Sequence, residues 1–490
     1  MGLMRFLTPR RELLTPQAIE RAYIAGMDEI PWPSRFVGTD DGLIVDRPVG
    51  ESGNLYIPWK VEGHPEVTLS TASLMEREPP YLLEVELARG TLNRVRNHVA
   101  TWELAGMPIA PEQRQEIERA TLQLAKAVTH QDDPAAACDL AREALRMAVH
   151  LTTALGQTVA REALQVRRQT GRKLTTLFGA DLGKLPLKEA EAKQFVEAFN
   201  AAVLPLAWQQ VEAREAQQDW TLSDRQLEWC QARGLRTISG PLLKFDRTGL
   251  PDWLYLWEDD EEQATKLMLD FVRGVVGRYK GRVHLWQAAA GMNAGGVLSL
   301  SVEQQLRIAI AAVEIVRKLD PRTPVLVTFD QPWGEFIARQ EVDLPWQFAD
   351  ALIRSDLGLA GIGISINVGY HPRGTQTRDL LEFGRQLDRW GLLGLPLLAS
   401  CCAPGGKGAD SSARLNDRPM PTNWPPEQQA EWIGQYFPLL LSKTCVQAVL
   451  WNQLRDDAPH DRAHAGLIDA EGKAKPALAE LSRVRKAYLA

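Results

Sequence analysis

The stretch RYKGRVHLWQAAAGMNAGG, residues 278–296, decides the fold. It reads as the end of an amphipathic helix, a tight turn at Lys280-Gly281 and a short strand over Val283–Ala288. A loop of small residues follows. In a chain that alternates strands and helices, the loop after a strand's carboxyl end is where chemistry is placed. This one holds nothing to ionise: from Leu285 to Ser301 there is no Asp, Glu, Lys, Arg or His.

Working outward, the same alternation runs from Arg172 to the end of the chain. Short apolar runs suited to strands are Leu174–Gly179, Ala202–Trp208, Arg236–Leu243, Val283–Ala288, Pro324–Phe329, Gly361–Asn367, Leu395–Ser400 and Val446–Asn452. Helical periodicity fills the gaps at Leu187–Asn200, Ser223–Arg233, Glu261–Tyr279, Val302–Leu319, Thr377–Trp390 and Pro426–Leu441. Strands in that number predict an α/β fold of the (β/α)₈ TIM-barrel type over residues 172–490. A doubly wound sheet would need a glycine-rich phosphate turn early, and Gly179-Ala180-Asp181-Leu182-Gly183 does not match that fingerprint.

Residues 1–105 have a different texture. Leu43–Val45, Asn54–Trp59, Val67–Thr71 and Tyr81–Val85 are short and β-branched, separated by Gly, Pro and Asp, which predicts a small β-rich module. Helical spacing begins at Glu86, and Pro111–Val128 and Pro134–Arg167 continue it. Residues 106–171 are expected to form a helical connector. The β-segments are compatible with a carbohydrate-binding sandwich, although no binding motif stands out in them.

Composition narrows the function classes. Over 490 residues the chain is 45% hydrophobic and 24% charged, with a net charge of -6 and interleaved signs. No basic stripe suggests nucleic acid. No apolar run reaches the roughly 20 residues of a membrane helix. The start, MGLMRFLTPRRELLTP, is interrupted by arginines and lacks a signal-peptide core. The five cysteines are sparse, odd in number and without CxxC spacing, so reduced thiols and a cytoplasmic location are expected.

Several strand-end segments, taken in order, resemble the family 10 glycoside hydrolases, the endo-xylanase family, over roughly residues 172–485. Phe178-Gly179-Ala180 resembles the opening Gly-Thr-Ala type motif. GPLLKFDRTGLPDW (240–253) resembles the third-strand segment ending Leu-Pro-x-Trp, and RYKGRVHLW (278–286) the Arg-Tyr-Lys-Gly piece with its strand ending in Trp. Gly361-Ile362-Gly363-Ile364, Gly394-Leu395-Pro396, Trp451, Gly466-Leu467-Ile468-Asp469 and Lys475-Pro476-Ala477 are similar to the remaining pieces. The resemblance implies the barrel, a saccharide ligand and no cofactor.

It also implies two catalytic glutamates, and here the sequence departs. Where the family has Trp-Asp-Val-Val-Asn-Glu, this chain reads Trp286-Gln287-Ala288-Ala289-Ala290-Gly291, so Gly291 stands in place of the general acid/base. At the nucleophile the chain reads Leu398-Ala399-Ser400-Cys401-Cys402-Ala403, which puts Cys401 at or beside that position. The family's third-strand histidines fall on Pro241 and Asp246, its sixth-strand Gln and His on Ser365 and Asn367, and its second-strand Lys on Ala207, with Trp208 kept. Retaining hydrolysis needs two carboxyls about 5–5.5 Å apart, and no acid occurs at either strand end.

Three functional readings follow. The first is a barrel that binds a glycan, or serves as a scaffold, without classical xylanase chemistry. Its substrate-binding residues would be Trp208, Trp253, Trp286, Asn367 and Trp451, since flat aromatic faces stack on sugar rings; Trp333 is balanced between groove and core. The second is an active glycoside hydrolase with relocated acids drawn from Asp246, Asp330 and Glu335; Asp456 is a further acid near a strand end. The third is an assembly protein that uses the barrel as a block. A Cys401-Cys402 thiolate nucleophile and a metal at His460 and His464 are weaker alternatives, and no metal is expected. The partner expected is an oligosaccharide or polysaccharide, with no nucleic acid and no membrane; a homo-oligomer stays open.

Overall fold

The structure, a computed structural model, describes residues 2–169, 174–293, 296–335, 344–415, 418–419 and 423–489. It divides into two compact units. One comprises residues 1–159, 334–344 and 376–386, the other residues 160–333, 345–375 and 387–490.

The second unit contains the barrel. Its strands are β1 (Leu177–Asp181), β2 (Ala201–Leu204), β3 (Arg236–Ser239), β4 (Leu285–Ala290), β5 (Val325–Asp330), β6 (Gly361–Asn367), β7 (Leu397–Cys402) and β8 (Val446–Trp451). Each pairs in parallel with the next, and β8 returns to β1 with Leu450 opposite Gly179, so the sheet has no free edge. This is the (β/α)₈ barrel that the alternation predicts. Two helices that the periodicity did not reveal, Pro345–Arg354 and Pro476–Tyr488, follow β5 and β8.

The helix of the opening stretch shows how local chemistry sets the frame. Glu261–Tyr279 starts at Asp260, whose carboxylate accepts from the Gln263 N–H at 3.0 Å and satisfies one of the free donors of the first turn. Met268, Phe271, Val272, Val275, Val276 and Tyr279 recur at three- and four-residue spacing, and all are buried. The helix stops at the predicted turn, where Gly281 takes φ 72°, a conformation that side chains disfavour.

Along each strand the side chains alternate between the barrel axis and the helices. An apolar floor is built from Val203, Ile238, Leu326, Leu398, Ala448 and Leu450, with Leu177 and Leu285 against it. Two residues further along β4, β5, β7 and β8 the inward positions, Gln287, Thr328, Ser400 and Asn452, are polar, and a cavity opens above them.

The first unit holds two four-stranded sheets. One runs in the order Arg35–Gly38, Gly42–Arg47, Gly2–Leu7, Tyr81–Leu82, the other Pro31–Trp32, Tyr23–Ala25, Asn54–Trp59, Val67–Ser70. Met4, Phe6, Leu43, Val45, Leu55, Ile57 and Trp59 share a core with Leu83, Leu87 and Leu145 of its helices. The strand expected over Tyr81–Val85 ends at Leu82, because Leu83 already opens the helix Leu83–Leu104 and buries its first two turns. Gly2–Leu7 went unread because Arg5 interrupts it; yet Met4 and Phe6 are buried while Arg5 is exposed, the alternation of a strand with one wet face.

Candidate active site

Above the floor lies a cavity of about 200 Å³, lined from the carboxyl ends of the strands and the loops beyond them. Its wall carries Asp181 from β1, Gln287 and Ala290 from β4, Thr328 and Asp330 from β5, and Ser365 and Asn367 from β6. Ser400 and Cys402 come from β7, and Asn452 follows β8. The loop after β3 adds Lys244, Asp246 and Thr248; the loop after β8 adds His460, Asp461 and Arg462.

The end of β4 is shaped by a β-bulge between Gln287 and Ala289, a device that re-aims side chains. Gly291 follows at φ 75°, and a Cβ built there would stand 3.2 Å from Asp330 Oδ2. The carboxyl group of β5 therefore already occupies the room a side chain at 291 would take. Burial raises the pKa of Asp330, against the pull of Arg462 and a hydrogen bond from the Ser365 hydroxyl.

On β7, Ser400 and Cys402 face the cavity. Cys401, between them, faces the other way; it is fully buried, and burial pushes its thiol pKa up, the reverse of what a thiolate nucleophile requires. The residue aligned with the family nucleophile thus lies outside the mouth. Cys402 Sγ donates to Asn367 Oδ1 at 3.1 Å, and Asn452 Nδ2 donates to the same oxygen at 2.9 Å. The Ser400 hydroxyl donates to Asn452 Oδ1, completing a network across β6, β7 and β8.

Lys244 organises the charges. Its ammonium sits 3.0 Å from Asp246 Oδ2 and also contacts Asp461 Oδ2. Burial alone would raise the pKa of Asp461, but Lys244 overcomes it and holds that carboxylate well below its ordinary range. Asp246 is tied further, accepting from the N–H groups of Thr248 at 2.8 Å and Gly249 at 2.9 Å and from the Thr248 hydroxyl at 2.7 Å. Asp181 differs: burial pushes its pKa up to about 7, despite a hydrogen bond from the Gly183 N–H.

Of the tryptophans predicted to line a groove, Trp208 and Trp451 touch the cavity. Trp208 is stacked on Phe271 at 4.8 Å and donates to Glu212 Oε2 at 2.9 Å. Trp451 packs against Trp432 and Phe437 and donates to the Ala465 carbonyl at 2.9 Å. Trp253 does not line the cavity; its ring meets Trp208 edge-on at 5.7 Å and donates to the Glu212 carbonyl at 2.8 Å. Trp286 points to the helix layer instead of the mouth, fully buried, with its Nε1 on Asp320 at 3.0 Å. Gln287 is the next residue, and a one-residue step along a strand reverses the face.

The acids divide in the same way. Asp246 and Asp330 line the cavity, whereas Glu335 does not; it belongs to the first unit, buried and 2.8 Å from the Arg378 guanidinium. Asp456 clips its own loop, bonded to Lys475 at 2.6 Å and the Gly466 N–H at 2.7 Å. His460 and His464 converge on Asp410, at 2.9 Å and 3.7 Å. Among the described residues no group of three or more His, Cys, Asp or Glu is placed to hold a metal ion.

Asp181, Lys184 and Asp461 were missed from the sequence. Asp181 had a usable signal, since it lies an even number of residues beyond Leu177 of the apolar floor. Asp461 had none, because it comes from an aperiodic loop.

No family profile matches the sequence, and no curated protein matches it. Solved structures do. Xylanase 10B from Thermotoga maritima is 17% identical, covers 68% of this chain and 98% of its own, and superposes with a TM-score of 0.49. Xylanase B from Clostridium stercorarium is 17% identical, covers 63% and 99%, and superposes at 0.47. The likeness concerns the barrel, whose closure the strand pairings establish on their own.

Proposed function

We propose that the mouth of this barrel binds a saccharide and does not cleave it by the two-glutamate route of the xylanase family its strand segments resemble. The observation that carries this reading is the chemistry of the wall. Gln287 and Asn367 face the cavity with their carbonyl oxygens engaged by neighbours. Among the described residues their amide N–H donors have no protein acceptor. Free amide donors beside hydroxyls and carboxyls match a ligand covered in hydroxyl groups. The ends of β4 and β7 supply no carboxyl, so neither family role is filled. The cysteines, all unpaired among the described residues, support a reducing, cytoplasmic setting. Among the described residues no helix is long and apolar enough to cross a membrane.

Calorimetric titration with xylobiose and cellobiose tests the reading. Binding is expected, weakened about tenfold by Asn367→Ala, which removes a donor held in place by its neighbours. Absence of binding to either sugar contradicts it.

A second reading is favoured by one observation, the Asp330 carboxyl beside Gly291. With Asp181 poised near neutrality as a proton donor, Asp330 would serve as the relocated second acid. On that reading xylotetraose is cut, and Asp330→Asn and Asp181→Asn each abolish cutting. Intact xylotetraose excludes it.

A further inference from the structure

The saccharide reading leaves one group in the mouth unexplained. Lys184 lies three residues beyond β1 and lines the cavity. Of the two cavity-lining lysines, Lys244 is neutralised by Asp246 and Asp461. Lys184 has no ion pair among the described residues. Arg414 stands close enough to bear on it and gives one guanidinium N–H to Gln209 Oε1 at 2.9 Å; among the described residues it too has no carboxylate partner. The nearest acids are already committed. Asp461 is held by Lys244, and Asp181 takes the Gly183 N–H and keeps its proton up to about pH 7.

Lys184 is half-buried and Arg414 exposed; a cation partly removed from water without a partner carries a cost that an anion at the mouth would offset. Burial lowers the pKa of Lys184 in spite of Asp461, which is the mark of a charge not fully compensated. We infer that the saccharide bound in this mouth carries an anionic group, a carboxylate or a sulfate ester, and that Lys184, with Arg414 at the rim, receives it. The inference rests on the saccharide reading and adds the chemical class of the ligand.

The test uses three disaccharides on one scaffold: cellobiose, the uronic acid in which a C6 hydroxymethyl is a carboxylate, and the 6-sulfate. Each is titrated calorimetrically into the full chain at pH 6. At least one anionic sugar is expected to bind about tenfold more tightly than cellobiose, a charge-assisted hydrogen bond's worth. Which of the two is preferred identifies the group. Lys184→Gln is expected to bring the ratio to within about twofold of one, and added salt to narrow it. If Lys184→Gln does not fold, Lys184→Arg and the salt titration carry the test: preference retained in the arginine variant and narrowed by salt supports the assignment. Equal binding of all three sugars overturns the inference and leaves the saccharide reading standing. Preference that survives Lys184→Gln overturns the role of Lys184. No binding of any sugar overturns both readings.

Discussion

At position 291 the backbone itself resists a return to the family's chemistry. A glutamate there would adopt φ 75° and press its Cβ to 3.2 Å from Asp330 Oδ2. Left-handed backbone costs a side-chain residue about 1–3 kcal/mol. Gly291→Glu is therefore expected to lower the melting temperature by several degrees and to release no reducing ends from xylan; a gain of hydrolysis would show that the mouth was disarmed by one substitution alone. Trp286, five residues earlier, makes the complementary point. Its Nε1 bond to Asp320 is buried in the helix layer. Trp286→Phe should cost about 1–3 kcal/mol in urea unfolding, since it leaves a buried acceptor short of a donor. Sugar affinity should not move, and a loss of affinity at full stability would place that ring in the groove after all.

At the level of single elements, strands that are apolar at all but one position could be read directly, as in Val325–Phe329 and Gly361–Ile366, because a barrel strand is covered on both sides. Side-chain direction near the strand ends could not. The bulge between Gln287 and Ala289 shifts the register of β4, and a resemblance aligned by sequence cannot say whether Cys401 or its neighbours face inward. Asp181 at the end of β1 gives a test by pH. Burial raises its pKa from 3.8 to about 7, so the folded state holds the proton more tightly than the unfolded chain. The contribution of Asp181 to stability therefore falls as pH rises from about 4 to about 7 and stays low above that. Asp181→Asn is expected to melt a few degrees above the unsubstituted protein at pH 8 and level with it near pH 4. A constant offset across that range would contradict the assignment. In the first unit, Glu335 faces Arg378, whose guanidinium also meets the Tyr23 hydroxyl at 2.6 Å. Glu335→Ala leaves a buried cation less compensated, and a loss of about 3–5 kcal/mol is expected by denaturant titration. A neutral effect would mean that Glu382, 3.9 Å away, suffices for the pair.

For the molecule as a whole, the barrel could be read from periodicity, and the vacancy at Gly291 from one line of sequence. Of the charged lining, Asp246 and Asp330 could be named and the rest could not. It converges from β1, from the loop after β3 and from the loop after β8, segments separated by up to 280 positions (Asp181 to Asp461). Only closure of the sheet, with β8 beside β1, makes them neighbours. The resemblance pointed to Pro241, Asp246, Ser365, Asn367, Ala207 and Trp208 as altered or kept groove positions, and all six line the cavity. It said nothing of Lys184 or Asp461, which lie outside the motifs that carried it. The account stands or falls on whether a bound sugar chain stays whole. Prolonged incubation of the protein with a stoichiometric amount of xylotetraose, followed by chromatography of the sugars, measures this most directly. The expected result is full recovery of xylotetraose from a mixture in which calorimetry shows it bound; appearance of xylobiose or xylose, abolished by Asp330→Asn, would contradict it.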